Sequence, residues 1–415
     1  MGLTGTRSFV GFGFGAIQAG LFLYEAYRSG AFNRLTVAEV LPGVVADVRA
    51  AGGVYALNIA HADRIESVQV GPVAIENPGV AEDRERLIAA VAAAGEIATA
   101  VPSVRYYAGP GPDSLHRILA EGLRRKAAEG GPRAVVYAAE NTANAAAILA
   151  DCVLAEIPAQ EQDAVRAQVR FLDTVIAKMC GVHENAPDLA PITPGGGRAF
   201  LVEAFNRILI SRIDFGAKIP FQRGIAVFEE KADLAPFEEA KLYGHNAVHA
   251  MAAYLAMLRG VAYMADLRDQ PGMMALMHAA LEDESGAALL HKYGGLDPFF
   301  TPAGYAEFAD DLLARMVNPY LRDTPERVGR DPARKLGWDD RLIGAMRMCR
   351  AEGVMPRRYA LGAAAALHAL GAAEDPSAAL RSLWRSAQPD PAEEQAILDL
   401  VQAGLEELSR WQVGK

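Results

Sequence analysis

The stretch RSFVGFGFGAIQAGLFLY, residues 7–24, constrains the fold of this chain more than any other. RSFVGF reads as a short buried strand, and AIQAGLFLYEAYRSG as a helix that ends at Gly30. Between them Gly11, Gly13 and Ala16 fit G-x-G-x-x-G/A, with Phe14 inside the loop. Gly11 permits a tight turn, Gly13 lets a pyrophosphate approach the backbone, and Ala16 lets helix and strand pack closely. The helix N-terminus then offers free N–H groups and the positive end of a dipole to phosphates. The next strand, RLTVAEV, brings Glu39 to its end, where an acid binds a ribose 2′-hydroxyl and repels a 2′-phosphate. The gap from Gly11 to Glu39 is longer than usual, and the YRSGAFNR turn absorbs it. These residues predict an NAD site; the same loop also permits FAD.

The alternation continues. VYALNI and SVQVGPVAI are β-like, AEDRERLIAAVAAAG is a helix closing on glycine, and EIATAVPSV is a strand carrying Thr99 and Val101. PDSLHRILAEGLRRKAAEGG opens with Pro and Asp and closes on Gly-Gly, as helices do. PRAVVYAAEN is another strand and TANAAAILADCVLAEI another helix. Strands alternating with helices of this length imply parallel crossovers and a doubly wound sheet. HENAPDLAPITPGGGRAF is loop, and AFLVEAFNRILI after it reads as one more strand. From about Pro236 nearly every segment reads helical. The expected organisation is an α/β Rossmann-type domain over 1–235 and a mostly α-helical domain over 236–415.

A hydrophobic fraction of 51% supports two cores, and a net charge of -10 argues against nucleic acid as a partner. An anionic small substrate would need a local basic pocket. Cys152, Cys180 and Cys349 stand far apart with no C-x-x-C, which argues against a disulfide framework and suits a reducing cytoplasm. Arg7 followed by an apolar run imitates a secretory leader. Gly11, Gly13, Gly15 and Gly20 weaken that reading, and the run is short for a bilayer, so no membrane association is expected.

The segment KLYGHNAVHA, residues 241–250, poses a choice. His245 and His249 have the four-residue offset of a zinc-binding helix, but Asn246 stands where a metalloprotease needs a glutamate base. In the other reading Asn246 and His249, three apart, share a helix face, and Lys241 reaches toward it from the helix start. A lysine base with a carboxamide donor suits hydride chemistry between an alcohol and a carbonyl. The lysine must be neutral to accept an alcohol proton, so burial or a nearby cation must lower its pKa. The amide of Asn246 then stabilises an alkoxide, and His249 orients a hydroxyl.

Lys241, Asn246 and His249 match K-x4-N-x2-H, and here the chain resembles the polyol-specific long-chain dehydrogenase family. The stretch 318–345, NPYLRDTPERVGRDPARKLGWDDRLIGA, is similar to that of its mannitol-1-phosphate 5-dehydrogenase-like branch, and the glycine loop, Glu39 and Thr99–Val101 also fit. The resemblance implies an N-terminal Rossmann-type domain, a C-terminal domain of the 6-phosphogluconate dehydrogenase C-terminal type, and a cleft between them. It implies metal-independent, NAD-linked interconversion of a sugar alcohol and its keto sugar, either of them phosphorylated in this branch. By the same analogy Lys241 is the general acid/base, Asn246 and Asn141 hold the oxyanion, and His249 positions substrate. Glu238 takes part in proton traffic, and Arg327 and Lys335 contact the substrate chain. Arg330 and Arg334 stand in the same basic stretch, which suits a phosphate or carboxylate or else a solvated loop of paired charges.

The chain departs from the family at two places on the substrate side. VIAKM, residues 175–179, has Ala177 where the family carries an aspartate, and EAFNRILISRI, residues 203–213, lacks the family's acidic, Trp-containing pattern. Two other readings therefore stand beside a polyol or polyol-phosphate dehydrogenase. One is a hexuronate reductase of the fructuronate or tagaturonate type; the other is a non-catalytic NAD-binding protein. The oligomeric state is not encoded in any feature of the sequence.

Overall fold

The structure, a computed structural model, describes residues 6–216 and 220–413. The chain divides into two compact units, with the split between Leu234 and Ala235.

The first unit carries twelve described strands: β1 (Arg7–Phe12), β2 (Phe32–Ala38), β3 (Tyr55–Ala60), β4 (Ile65–Val70), β5 (Ala74–Glu76), β6 (Glu96–Thr99), β7 (Ala134–Ala138), β8 (Val169–Val175), β9 (Cys180–Glu184), β10 (Arg198–Glu203), β11 (Ile208–Ser211) and β12 (Phe228–Lys231). Eight form one sheet in the order β12-β11-β8-β7-β6-β1-β2-β5. Its pairs from β8 through to β5 are parallel, whereas β11 meets β8 antiparallel. β7 is buried along its whole length, as a central strand covered on both faces must be. This is the Rossmann-type sheet that the strand–helix alternation predicts.

A second sheet, β4-β3-β10-β9, departs from that expectation. VYALNI and SVQV leave the main sheet to form a hairpin, and β10 joins β3 in parallel. AFLVEAFNRILI is therefore two strands in two sheets, not one. Lys178 Nζ donates to the carbonyls of Glu203 and Phe205, the latter at 2.6 Å, where the chain passes from β10 toward β11.

The second sheet also accounts for the leader-like run. Residues 16–29 form a helix with a π turn at Gln18–Leu23, and every residue of that turn is buried. A Cβ on Gly20 would lie 2.4 Å from Val202 and 3.3 Å from Leu57 on the small sheet. Phe22 meets Tyr137 and Phe228 of the large sheet at ring-centroid distances of 5.9 and 5.6 Å. The π turn is sandwiched between two sheets, which is why its residues other than Gln18 are apolar on every side. Among the described residues no helix is long and apolar enough to cross a membrane.

The second unit is helical throughout. Its axis is a continuous helix over 235–259, buried almost completely from Ala247 to Ala256. The helices Pro302–Met316, Arg341–Ala351 and Arg357–Leu370 belong to the same unit. Thr301 and Asp340 cap the first two of these by accepting the N–H groups of Gly304 and Arg341.

Candidate functional site

In the first unit the glycine loop lies at the C-terminal edge of the large sheet. Gly11 still belongs to β1, paired with Val37 and Ala98, so it does not make the turn expected of it. Its lack of a side chain instead makes room for Gln18, whose amide nitrogen stands 2.1 Å from where a Cβ would be. The turn falls at Gly13, with φ +87° and the carbonyl of Ala100 2.6 Å from a Cβ position. No other residue fits there without strain. The Phe14 ring is buried and packs edge-on against Tyr55 and Phe200. Ala16 is buried at the start of the helix, and Glu39 directly follows β2, its carboxylate accepting the N–H of Leu41 at 2.8 Å.

Glu140 was not singled out by sequence reasoning, yet it organises the neighbouring loops. Its buried carboxylate accepts the hydroxyls of Thr99 (2.9 Å) and Tyr107 and the N–H of Val101 (2.9 Å). Burial raises its pKa above the usual carboxylate range, and these hydrogen bonds oppose the rise. Thr99 and Val101 are thereby tied to the loop after β7, which carries Asn141.

In the second unit Lys241 is not at a helix start, as expected, but more than a turn inside the helix 235–259. It sits in a π turn, Ala240–His245, closed by the N–H of Asn246 donating to the carbonyl of Lys241. The spacing of the signature explains why this matters. In an α-helix, at about 100° per residue, Asn246 would lie about 140° and His249 about 80° from Lys241. A π turn absorbs one extra residue, so both positions behave as if one residue closer. The offsets become about 40° and about 20° on opposite sides, and the three side chains share one narrow face.

Burial pushes Lys241 down to about 8, with Arg341 adding to the depression and Glu238 opposing it. Part of its surface still reaches solvent. Burial also lowers His249 to about 4, with Asp323 opposing and Arg327, Arg341 and Lys335 reinforcing, so its ring is neutral at pH 7. His245 is buried and likewise held well below its ordinary value, by burial first and by His249 next. The two rings are 6.1 Å apart, and neither His245 Nδ1 nor His249 Nε2 has a hydrogen-bond partner.

Asn246 and His249 line a cavity of about 140 Å3 together with Arg327, Arg330, Arg334, Lys335 and Arg341. The basic stretch of the sequence is thus gathered around Asn246 and His249, while Lys241 is not part of this cavity's lining. Asp323 holds Arg327 Nε at 2.5 Å, Asp331 pairs with Arg334 at 3.3 Å, and Asp340 pairs with Arg341 at 2.7 Å. Five cations against three carboxylates leave an excess of two positive charges. Lys335 is buried, donates to the Arg330 carbonyl, and is pushed down to about 8 by burial and by Arg341, Arg334 and Arg330, against Asp331. Arg341 was not singled out from the sequence either. It reaches the cavity from a helix 100 residues along the chain from Lys241, and no spacing rule spans that gap. Glu39, Asn141 and the glycine loop belong to the first unit, and Glu238 lies one turn before Lys241 in the second.

Comparison with known proteins identifies the family of both units. Residues 7–218 match the mannitol dehydrogenase Rossmann domain and residues 233–412 the mannitol dehydrogenase C-terminal domain. The chain belongs to the mannitol dehydrogenase family, a family of polyol oxidoreductases. A mannitol-1-phosphate 5-dehydrogenase of Bacillus licheniformis is 30% identical over 370 residues, which cover 88% of this chain and 89% of that protein. Two solved structures share the fold. Mannitol 2-dehydrogenase of Pseudomonas fluorescens, determined as a ternary complex with NAD and D-mannitol, has a TM-score of 0.69 at 16% identity, covering 98% of this chain and 95% of that one. A substrate-free D-sorbitol dehydrogenase has a TM-score of 0.73 at 14% identity, covering 97% and 95%.

Proposed function

We propose that this chain is an NAD-dependent polyol-phosphate dehydrogenase, interconverting a substrate of the mannitol 1-phosphate type and its keto sugar phosphate. The observation that carries the reading is the cavity where five cations adjoin Asn246 and His249. A phosphate monoester is close to a dianion at pH 7, which balances the cavity's excess charge. The 30% identity to a mannitol-1-phosphate 5-dehydrogenase supports the same substrate class.

In this reading residues 1–235 bind NAD and residues 236–415 bind substrate and supply the proton chemistry. The loop fits a dinucleotide: Gly13 leaves a cradle that a Cβ would fill, and Glu39 directly follows the second strand. Gly11, Phe14, Ala16, Thr99 and Val101 shape its surroundings. When bound, the nicotinamide supplies the hydride acceptor. Lys241, neutral in an appreciable fraction near pH 8, takes the proton of the reacting hydroxyl, and Glu238 passes it onward. The amide of Asn246, with Asn141 as the second donor, steadies the developing alkoxide. Neutral His249 orients a substrate hydroxyl, while Arg327, Arg330, Arg334 and Lys335 bind the anionic end.

A panel of mannitol 1-phosphate, free mannitol, sorbitol and keto-sugar acids, each with NAD(H) and NADP(H), tests the proposal. Phosphorylated polyol is expected to be turned over best, with NAD, and in the presence of a chelator. Turnover confined to keto-sugar acids would replace it with a hexuronate reductase, and no turnover at all with a non-catalytic NAD-binding protein.

A further inference from the structure

We propose that Arg341 is a fifth anion ligand of the cavity, and the one that joins its phosphate end to the proton-transfer face of the helix 235–259. The inference rests on the polyol-phosphate reading and deepens it. Three observations carry it. Arg341 lines the cavity beside Asn246 and His249 as well as beside Arg330, Arg334 and Lys335. Asp340, the N-cap of the helix Arg341–Ala351, fixes the guanidinium by accepting from Arg341 Nε at 2.7 Å. That helix is pressed onto the π turn, because a Cβ on Gly344 would lie 2.5 Å from the Tyr243 ring. Arg341 is one helical turn before Gly344, on the same face, and Tyr243 is two residues from Lys241.

The consequence is electrostatic. Lys241 feels Arg341 from the neighbouring helix and Glu238 and the neutral His245 from its own, and Arg341 is the charge that favours loss of its proton. Arg315 faces His245, and Asp323, Arg327 and Lys335 face His249. A phosphate bound to Arg341 offsets that cation. A phosphorylated substrate therefore raises the proton affinity of Lys241 in the complex, and a neutral polyol leaves it alone.

The test compares Arg341→Gln and Arg341→Lys with the parent on phosphorylated and free polyol, and titrates inorganic phosphate into each protein by calorimetry. On the alkaline plateau, kcat/KM of Arg341→Gln for polyol phosphate is expected to fall about tenfold to a hundredfold, the worth of one charge-assisted contact. Free polyol should lose far less. The acid limb of kcat/KM should move to higher pH in Arg341→Gln and stay near the parent's in Arg341→Lys, which a merely structural role would not produce. Phosphate affinity should fall by a similar factor in Arg341→Gln. Equal losses on both substrates, an unmoved limb, or phosphate affinity unchanged in Arg341→Gln would overturn the proposal. If the parent turns over no polyol phosphate, the functional reading fails, while the phosphate titration still decides whether Arg341 binds the anion.

Discussion

Lys241→Ala offers the sharpest test of the chemistry, because the magnitude follows from the environment of the lysine. At its ordinary value of 10.5 a lysine is neutral in only about one part in a thousand at pH 7.5. At about 8, where burial and Arg341 hold it, about a quarter of the molecules carry the neutral base. The environment thus raises the reactive fraction by about two hundredfold. In the oxidation direction kcat/KM should climb about tenfold per pH unit below 8 and level off above 9. In the reduction direction the ammonium form is the acid, so the rate should instead fall above about 8. Lys241→Ala should lower kcat by about 100-fold to 10,000-fold and erase the limb. Steady-state rates from pH 6 to 10 in both directions measure this. A limb that survives unchanged in Lys241→Ala, or a flat parent profile, would refute the reasoning.

Four further outcomes follow. Because the folded pKa of Lys241 lies below its unfolded value, the unfolded chain binds more protons between about 8 and 10.4. The lysine's contribution to stability therefore improves as pH rises through that window, and its cost is fully present below it. Lys241→Met should accordingly melt no lower than the parent at pH 7, as calorimetry would show; a lower Tm contradicts the cost. Gly13→Ala places a side chain at φ +87° and against the Ala100 carbonyl, so about 1–3 kcal/mol of stability and most NAD binding should go, measured by denaturant melts and cofactor titration. Glu140→Ala unpairs Thr99, Tyr107 and the Val101 N–H, and should cost about 1–3 kcal/mol in the same melts. Glu39→Ala removes a like charge, which across a contact costs several kcal/mol, and should raise NADP use relative to NAD by about tenfold or more in paired kinetics.

What was legible in the chain was local. Apolar runs of strand length, glycine-closed helices and proline-rich breaks predict the Rossmann-type sheet and the helical second half, and both are present. The second sheet was not legible, since β3 pairs with β10 across more than 140 residues and each strand alone looks like a member of the main sheet. Likewise Gly11 fits its motif by type, while its position inside β1 depends on the register with β2 and β6.

The candidate site divides the same way. The residue types K, N and H, and the basic stretch after residue 321, are written in the chain. Their spacing is wrong for an α-helix, and only the π turn brings Lys241, Asn246 and His249 onto one face. Tertiary structure decided three things. It set the pKa of Lys241, because burial and Arg341 come from other helices; it folded the basic stretch around Asn246 and His249; and it added Arg341 through the close approach at Gly344. The reason is that side-chain type and local period act within a few residues, whereas dehydration and the field of a charge depend on what packs nearby, however distant in sequence.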